Sequence, residues 1–224
     1  MMEFHEYPDR EMMMLRVAQR IASELGESLR AHGRATLSVP GGTTPGPVFD
    51  TLSGVDLDWS QVSVVLNDER WVGEDNPRSN TALLRARLLH GKAAQAQLIP
   101  LYADLPDPDA ALDGLIDGLL PHLPISVLLL GMGEDMHTAS LFPGADNLDA
   151  ALAPGAPPLM AMRAEAAGEP RITLTAPVLR AALRVHVLIT GASKRAAIER
   201  AAKLTPREAP IACVLDQAQV HWAE

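Results

Sequence analysis

The sequence predicts an α/β fold, in which a mostly parallel, Rossmann-like sheet carries helices on both faces. Short runs rich in Val, Ile and Leu alternate with longer segments whose apolar residues recur at helical spacing. The runs are apolar throughout, as strands covered on both faces require. Polar and glycine-rich segments follow their C-terminal ends, the edge at which open α/β sheets bind ligands.

Residues 8–32 open with Pro8-Asp9 and carry Met12, Met13, Leu15, Val17, Ile21, Leu25 and Leu29 near helical spacing, so a long first helix is expected to end at Gly33. Ala35 to Val39 reads as a strand that stops at Pro40-Gly41-Gly42, and helical positions resume after Pro45. A second strand, Val62 to Leu66, runs into the polar loop Asn67-Asp68-Glu69-Arg70. The next helix starts near Ser79, whose hydroxyl suits an N-cap. Leu98 to Leu101 is expected as a strand, 107–120 as a helix, and Ile125 to Leu130 as a strand ending in Gly131-Met132-Gly133. The Ala- and Pro-rich stretch from Ala150 to Pro158 reads as a surface loop. Leu159 to Met162 and Arg171 to Leu174 read as strands, followed by a short helix. Val185 to Thr190 then meets Gly191 and a helix from Ser193 to Lys203, and a last strand takes in Cys213.

A chain of 224 residues without repeats fits one domain over residues 1–224 and can bury a core without metals or disulfides. The N-terminal stretch from Met1 to Glu6 lacks the basic and apolar regions of a secretion signal, and no apolar run reaches membrane-spanning length. A cytoplasmic protein that does not engage a membrane is expected. The single cysteine, Cys213, lies in an apolar run and is read as a small buried hydrophobe. A net charge of −9 leaves no excess of Lys and Arg for nucleic acid. An anionic substrate would have to be held by a few local cations. A monomer is expected, with homo-oligomerisation left open.

Four segments could carry chemistry. Gly41, Gly42, Thr43 and Thr44 lie between a strand and a helix, where backbone N–H groups and hydroxyls suit a phosphate. Neither a Walker lysine nor the dinucleotide spacing is present, and a tight turn with capping threonines is the plainer alternative. Asp68, Glu69 and Arg70 concentrate charge just past a buried strand, although charges there often mark only a solvated turn. His137 follows a glycine loop and is the best candidate base, with Asp135 near enough in sequence to orient it. No second His or Cys stands at metal-ligand spacing, so neither a metal nor an organic cofactor is expected. Histidines 5, 32, 90, 122, 186 and 221 are read as surface or packing residues. Ser140 lacks the glycine-flanked elbow of serine hydrolases. Arg171, opening a strand, and Lys194, in the first turn of a helix, could neutralise an anion if the fold brings them to the other loops.

In content and order these segments closely resemble the 6-phosphogluconolactonase family over nearly the full chain. Gly41-Gly42-Thr43-Thr44-Pro45 matches its phosphate loop and Asp68-Glu69-Arg70 its acidic-arginine stretch. Gly131-Met132-Gly133 through His137-Thr138-Ala139-Ser140-Leu141-Phe142-Pro143 matches its most diagnostic motif. Two positions depart: Pro40 replaces a serine, and Met136 replaces a glycine, so Met136 is expected to take glycine-like dihedrals only at a cost. The resemblance implies hydrolysis of 6-phospho-D-glucono-1,5-lactone, with His137 activating water and Asp68 or Asp135 orienting its imidazole. Arg70 would stabilise the oxyanion or the phosphate, and Gly41, Gly42, Thr43, Thr44, Arg171 and Lys194 would hold the anion. Glucosamine-6-phosphate deaminases are the rival enzyme reading. They follow the histidine with a Phe-Asn-Glu-Pro run, whereas here Phe142 precedes Pro143 and the glutamate is absent. A non-catalytic sugar-phosphate sensor is the third reading.

Overall fold

The structure is a computed structural model that describes residues 2–164 and 167–224; Met1, Glu165 and Ala166 lie outside them. The chain opens with an edge strand, β1 (Glu3–Glu6), too short for its pattern to register in the sequence. Helix α1 (Arg10–His32) follows. Asp9 caps it by accepting from Met12 N–H at 2.7 Å, and Gly33 ends it with a left-handed φ of 70°. Its stripe of Met13, Val17, Ile21 and Leu25 is fully buried against the sheet, each such side chain contributing about 2 kcal/mol of burial.

Strand β2 (Ala35–Val39) leads through the Pro-Gly-Gly turn to α2 (Gly46–Ser53), and β3 (Val62–Leu66) follows. The expected polar loop after β3 is instead a strand, β4 (Asp68–Arg70), which pairs into a second sheet. Helix α3 (Asn80–Arg87), capped by Ser79 as expected, precedes β5 (Gln97–Ile99), α4 (Pro108–Leu119) and β6 (Val127–Leu130). The surface loop expected from Ala150 begins inside a short helix, α5 (Leu148–Leu152). Strands β7 (Leu159–Met162) and β8 (Arg171–Leu174), helix α6 (Ala176–Arg180), strand β9 (Val185–Thr190) and helix α7 (Ala192–Ala201) complete the predicted elements.

The final strand is displaced from its expected place. Pro210–Cys213 forms a 3-10 turn, and the strand is β10 (Ala218–Ala223). The run Ile211 to Leu215 is apolar because it is buried, and a short apolar run does not distinguish strand from turn by period. Pro210, lacking an N–H, suits the start of a helical turn better than the middle of a sheet.

Among the described residues, seven strands form a parallel sheet in the order β1-β10-β9-β6-β2-β3-β5. From β2 the chain moves outward through β3 to β5, then returns to β6 on the other side of β2. The switch point of this doubly wound sheet therefore lies between β2 and β6, beneath Gly41 and Gly131. Strands β7 and β8, expected in the main sheet, pair antiparallel with each other and with β4 in the order β4-β8-β7. Asn67 joins the two sheets: its N–H donates to Val39 O at 2.8 Å and its carbonyl accepts from Leu174 N–H at 2.9 Å. Its buried side chain accepts from Ser38 Oγ at 2.7 Å and donates to Leu129 O at 2.8 Å, pinning β2 to β6 below the crevice. Among the described residues no helix is long and apolar enough to cross a membrane. Cys213 is buried, and burial pushes its thiol up to about 12, so the thiolate needed for reactivity does not form near neutral pH.

Candidate active site

A cleft of about 260 Å³ opens at the switch point, lined by residues from all four candidate segments. The first is the β2–α2 turn. Gly42 has φ 83°, a conformation that favours glycine, and a Cβ on Gly41 would collide with the Asn80 amide. No side chain caps α2. Thr44 lines the cleft, whereas Thr43 faces a neighbouring depression with Arg10 and Thr190.

The antiparallel pair β4 and β8 builds the second wall. The two-residue period places Asp68 and Arg70 on one face of β4, and the register sets Arg70 opposite Arg171 and Asp68 opposite Thr173. Like charges directly opposed across a sheet repel, so the paired arginines favour an anion between or beside them. Their charge is only partly offset. Asp68 Oδ2 lies 3.4 Å from Arg171 Nη1, and Glu169 Oε1 lies 4.0 Å from Arg70 Nε and 2.9 Å from Arg78 Nε. Arg70 is steadied by donating to Arg78 O at 2.5 Å, and Arg171 lies over the Phe142 ring at 5.4 Å. Lys194 arrives from the first turn of α7, tethered where Ser193 Oγ donates to Glu134 at 2.8 Å. Among the described residues Lys194 makes no ion pair.

The loop after β6 supplies the histidine. Asp135 Oδ1 lies 2.5 Å from His137 Nδ1 and 3.2 Å from its backbone N–H, so the carboxylate accepts from the Nδ1 proton and the neutral ring keeps its lone pair on Nε2. The imidazole packs against Phe142 at 4.5 Å between ring centres and retains 31% side-chain exposure. Met136, standing where the resembled family has glycine, takes φ 67°. That conformation costs about 1–2 kcal/mol for a residue with a Cβ. Two backbone bonds hold it, from Met136 N–H to Gly133 O at 3.0 Å and from Ile211 N–H to Met136 O at 3.1 Å.

Asp135, not Asp68, is therefore the histidine's partner. Asp68 Oδ2 instead accepts from Ser140 Oγ at 2.5 Å, which also occupies the hydroxyl that a serine-hydrolase reading would need. Sequence reasoning missed Asn80, which lines the cleft, and the position-holding role of Glu69. The buried Glu69 carboxylate accepts from Asn80 N–H at 2.9 Å, Thr81 N–H at 2.7 Å, Thr81 Oγ at 2.8 Å and Ser79 Oγ at 3.2 Å. The only local signal was the capping serine beside Asn80. Among the described residues no group of three or more His, Cys, Asp or Glu is arranged to hold a metal ion.

Residues 8–222 match a family model described as glucosamine-6-phosphate isomerases/6-phosphogluconolactonase. A 6-phosphogluconolactonase of Mesorhizobium japonicum is 39% identical over 228 residues, covering 98% of this chain and 94% of that protein. One from Rhizobium meliloti is 40% identical over 215 residues, covering 92% of each. The crystal structure of a 6-phosphogluconolactonase from Shewanella baltica superposes with a TM-score of 0.96 at 32% identity, covering 100% of this chain and 98% of that one. A monomeric glucosamine-6-phosphate deaminase superposes at 0.80 with 16% identity, a likeness of fold alone.

Proposed function

Because the chain belongs to the glucosamine-6-phosphate isomerase and 6-phosphogluconolactonase family, we propose that it hydrolyses 6-phospho-D-glucono-1,5-lactone to 6-phospho-D-gluconate in the oxidative pentose phosphate pathway. It acts as a cytoplasmic, monomeric single domain over residues 1–224. The observation that carries the reading is the Asp135–His137 pair, set in the same cleft as the glycine turn and three cations. Within the family, deaminases place an acidic partner after the histidine. Here Phe142 occupies that stretch and packs on the imidazole, supplying no proton-transfer group, and this favours lactone opening over amino-sugar isomerisation.

His137 Nε2 takes a proton from a water molecule as its oxygen attacks C1 of the lactone, and Asp135 stabilises the imidazolium that forms. The C1–O bond to the ring oxygen then breaks, and the imidazolium returns the proton to that oxygen. The product carboxylic acid ionises in solution. Arg70 or Arg171 offsets the tetrahedral oxyanion, while Gly41, Gly42, Thr44 and Lys194 hold the phosphate, with Thr43 shaping the turn beside it. Asp68 keeps Arg171 in register. Lactones already react with water, so the barrier reduction required is modest and the scheme uses no metal or organic cofactor.

His137→Asn tests the assignment. Turnover is expected to fall ~10²–10⁴-fold, the usual contribution of a positioned acid–base group, while 6-phosphogluconate binding measured by calorimetry stays within a few-fold of wild type. Retained turnover would overturn the role of His137.

A further inference from the structure

Between the anion turn and the reacting carbonyl, a phosphorylated aldonolactone presents secondary hydroxyls, and a cationic cleft alone would not distinguish them from solvent. Asn80 stands in the cleft wall between the anion turn and β4. It is 3% exposed, lines the cleft, and touches both the anion turn through Gly41 and the Asp68 segment. The orientation of its amide is fixed, because Nδ2 donates to the Asp68 carbonyl at 3.0 Å and only the nitrogen end can do so. The backbone is fixed too, by Asn80 N–H donating to Glu69 at 2.9 Å at the start of α3. Oδ1 is left against Gly41. No protein donor reaches it among the described residues, yet it is not among the sealed, unpartnered atoms of the interior, so it opens into the cleft. Asp68 Oδ1 is in the same condition, since Ser140 and Arg171 both engage Oδ2. Two acceptors without donors, set among cations, repel a bare anion and suit O–H groups.

We propose that Asn80 is a specificity-determining residue whose Oδ1 accepts a hydrogen bond from one secondary hydroxyl of the sugar acid, beside Asp68 Oδ1. The assignment rests on the lactonase reading and deepens it. A site built to bond a hydroxyl rejects analogues lacking it, because its own polar group is then left unpaired. Asn80 takes no part in proton transfer, so the loss belongs to substrate fit.

The test compares wild type and Asn80→Ala on the parent phosphogluconolactone and on three analogues, each lacking the hydroxyl at C2, C3 or C4. Wild type is expected to lose about tenfold in kcat/KM on one analogue, the scale of one hydrogen bond. Asn80→Ala is expected to lose about tenfold on the parent and nothing further on that analogue, while the other two keep their separate penalties. An equal loss by Asn80→Ala on all four substrates would make Asn80 a scaffold residue and overturn the proposal. Failure of wild type to hydrolyse the parent would instead overturn the lactonase reading itself. Should Asn80→Ala not fold, Asn80→Ser, which keeps a small polar residue at the start of α3 but is too short to reach the same hydroxyl, gives the same comparison.

Discussion

A Cβ at position 133 would fall within the van der Waals envelope of the His137 ring and of the Asp135 carboxylate. The backbone of Gly133 is not left-handed, so Gly133→Ala is tolerated by the chain and resisted only by the dyad. Turnover is expected to fall about 10²-fold, the effect of displacing a reacting group by roughly 1 Å, with the thermal midpoint little changed. Unaltered turnover would show that the imidazole position is not set here. At this scale the sequence was informative wherever a residue's chemistry is intrinsic. His137 stood out as a base, and the glycines as places where a side chain is excluded. It was mute where a role depends on a distant partner. Asp135, two residues before the histidine, was open to a local reading as its partner, whereas nothing local tied Asp68 to Ser140, seventy-two residues away.

Helix α3 shows how one element carries a site. Its first turn would leave N–H groups unsatisfied, and Glu69 supplies a buried carboxylate to two of them and to the hydroxyls of Ser79 and Thr81. Charge-assisted bonds of this kind contribute about 1.5–3 kcal/mol each when a partner is lost. Glu69→Gln turns one acceptor into a donor facing donors, so urea unfolding is expected to show a loss of about 2–3 kcal/mol. An unchanged midpoint would mean that Ser79 alone holds the helix. Strand and helix periods were legible where burial was uniform, as in β2, β3, β6 and α1. They failed at β10, where Gln219 and His221 interrupt the apolar pattern of a strand that is nevertheless interior to the sheet. They failed also at β4, where Asp68 and Arg70 line the cleft and Glu69 is buried against the start of α3, so that the charges do not mark a solvated turn.

Over the whole molecule, a buried polar chain fastens the N-terminal edge to the centre. Tyr7 O–H bonds His221 Nδ1 at 2.8 Å, His221 Nε2 bonds His186 Nδ1 at 3.0 Å, and His186 Nε2 bonds Glu24 at 2.7 Å. The sequence had placed both histidines only as surface or packing residues. Burial, then His186, His5 and Arg20, push the His221 imidazole down to about 2. Its folded value therefore lies below the ordinary 6.5 of an unfolded histidine. Stability is unaffected by this group above about pH 7 and declines as pH falls through 6.5 towards 2, because the unfolded chain takes a proton that the folded one refuses. Urea unfolding at pH 7 and pH 5 is expected to differ by about 2 kcal/mol from this group; equal midpoints would contradict a neutral, buried His221. The central claim is most directly tested by adding the protein to freshly generated 6-phosphogluconolactone with a chelator present. Product formation is followed through 6-phosphogluconate dehydrogenase and NADPH absorbance, with glucosamine-6-phosphate assayed in parallel. Rapid chelator-resistant product release above the spontaneous rate, with no deamination, is the expected result. A lactone rate equal to the spontaneous one would contradict the account, and deamination of the amino sugar would reassign the cleft to the rival chemistry.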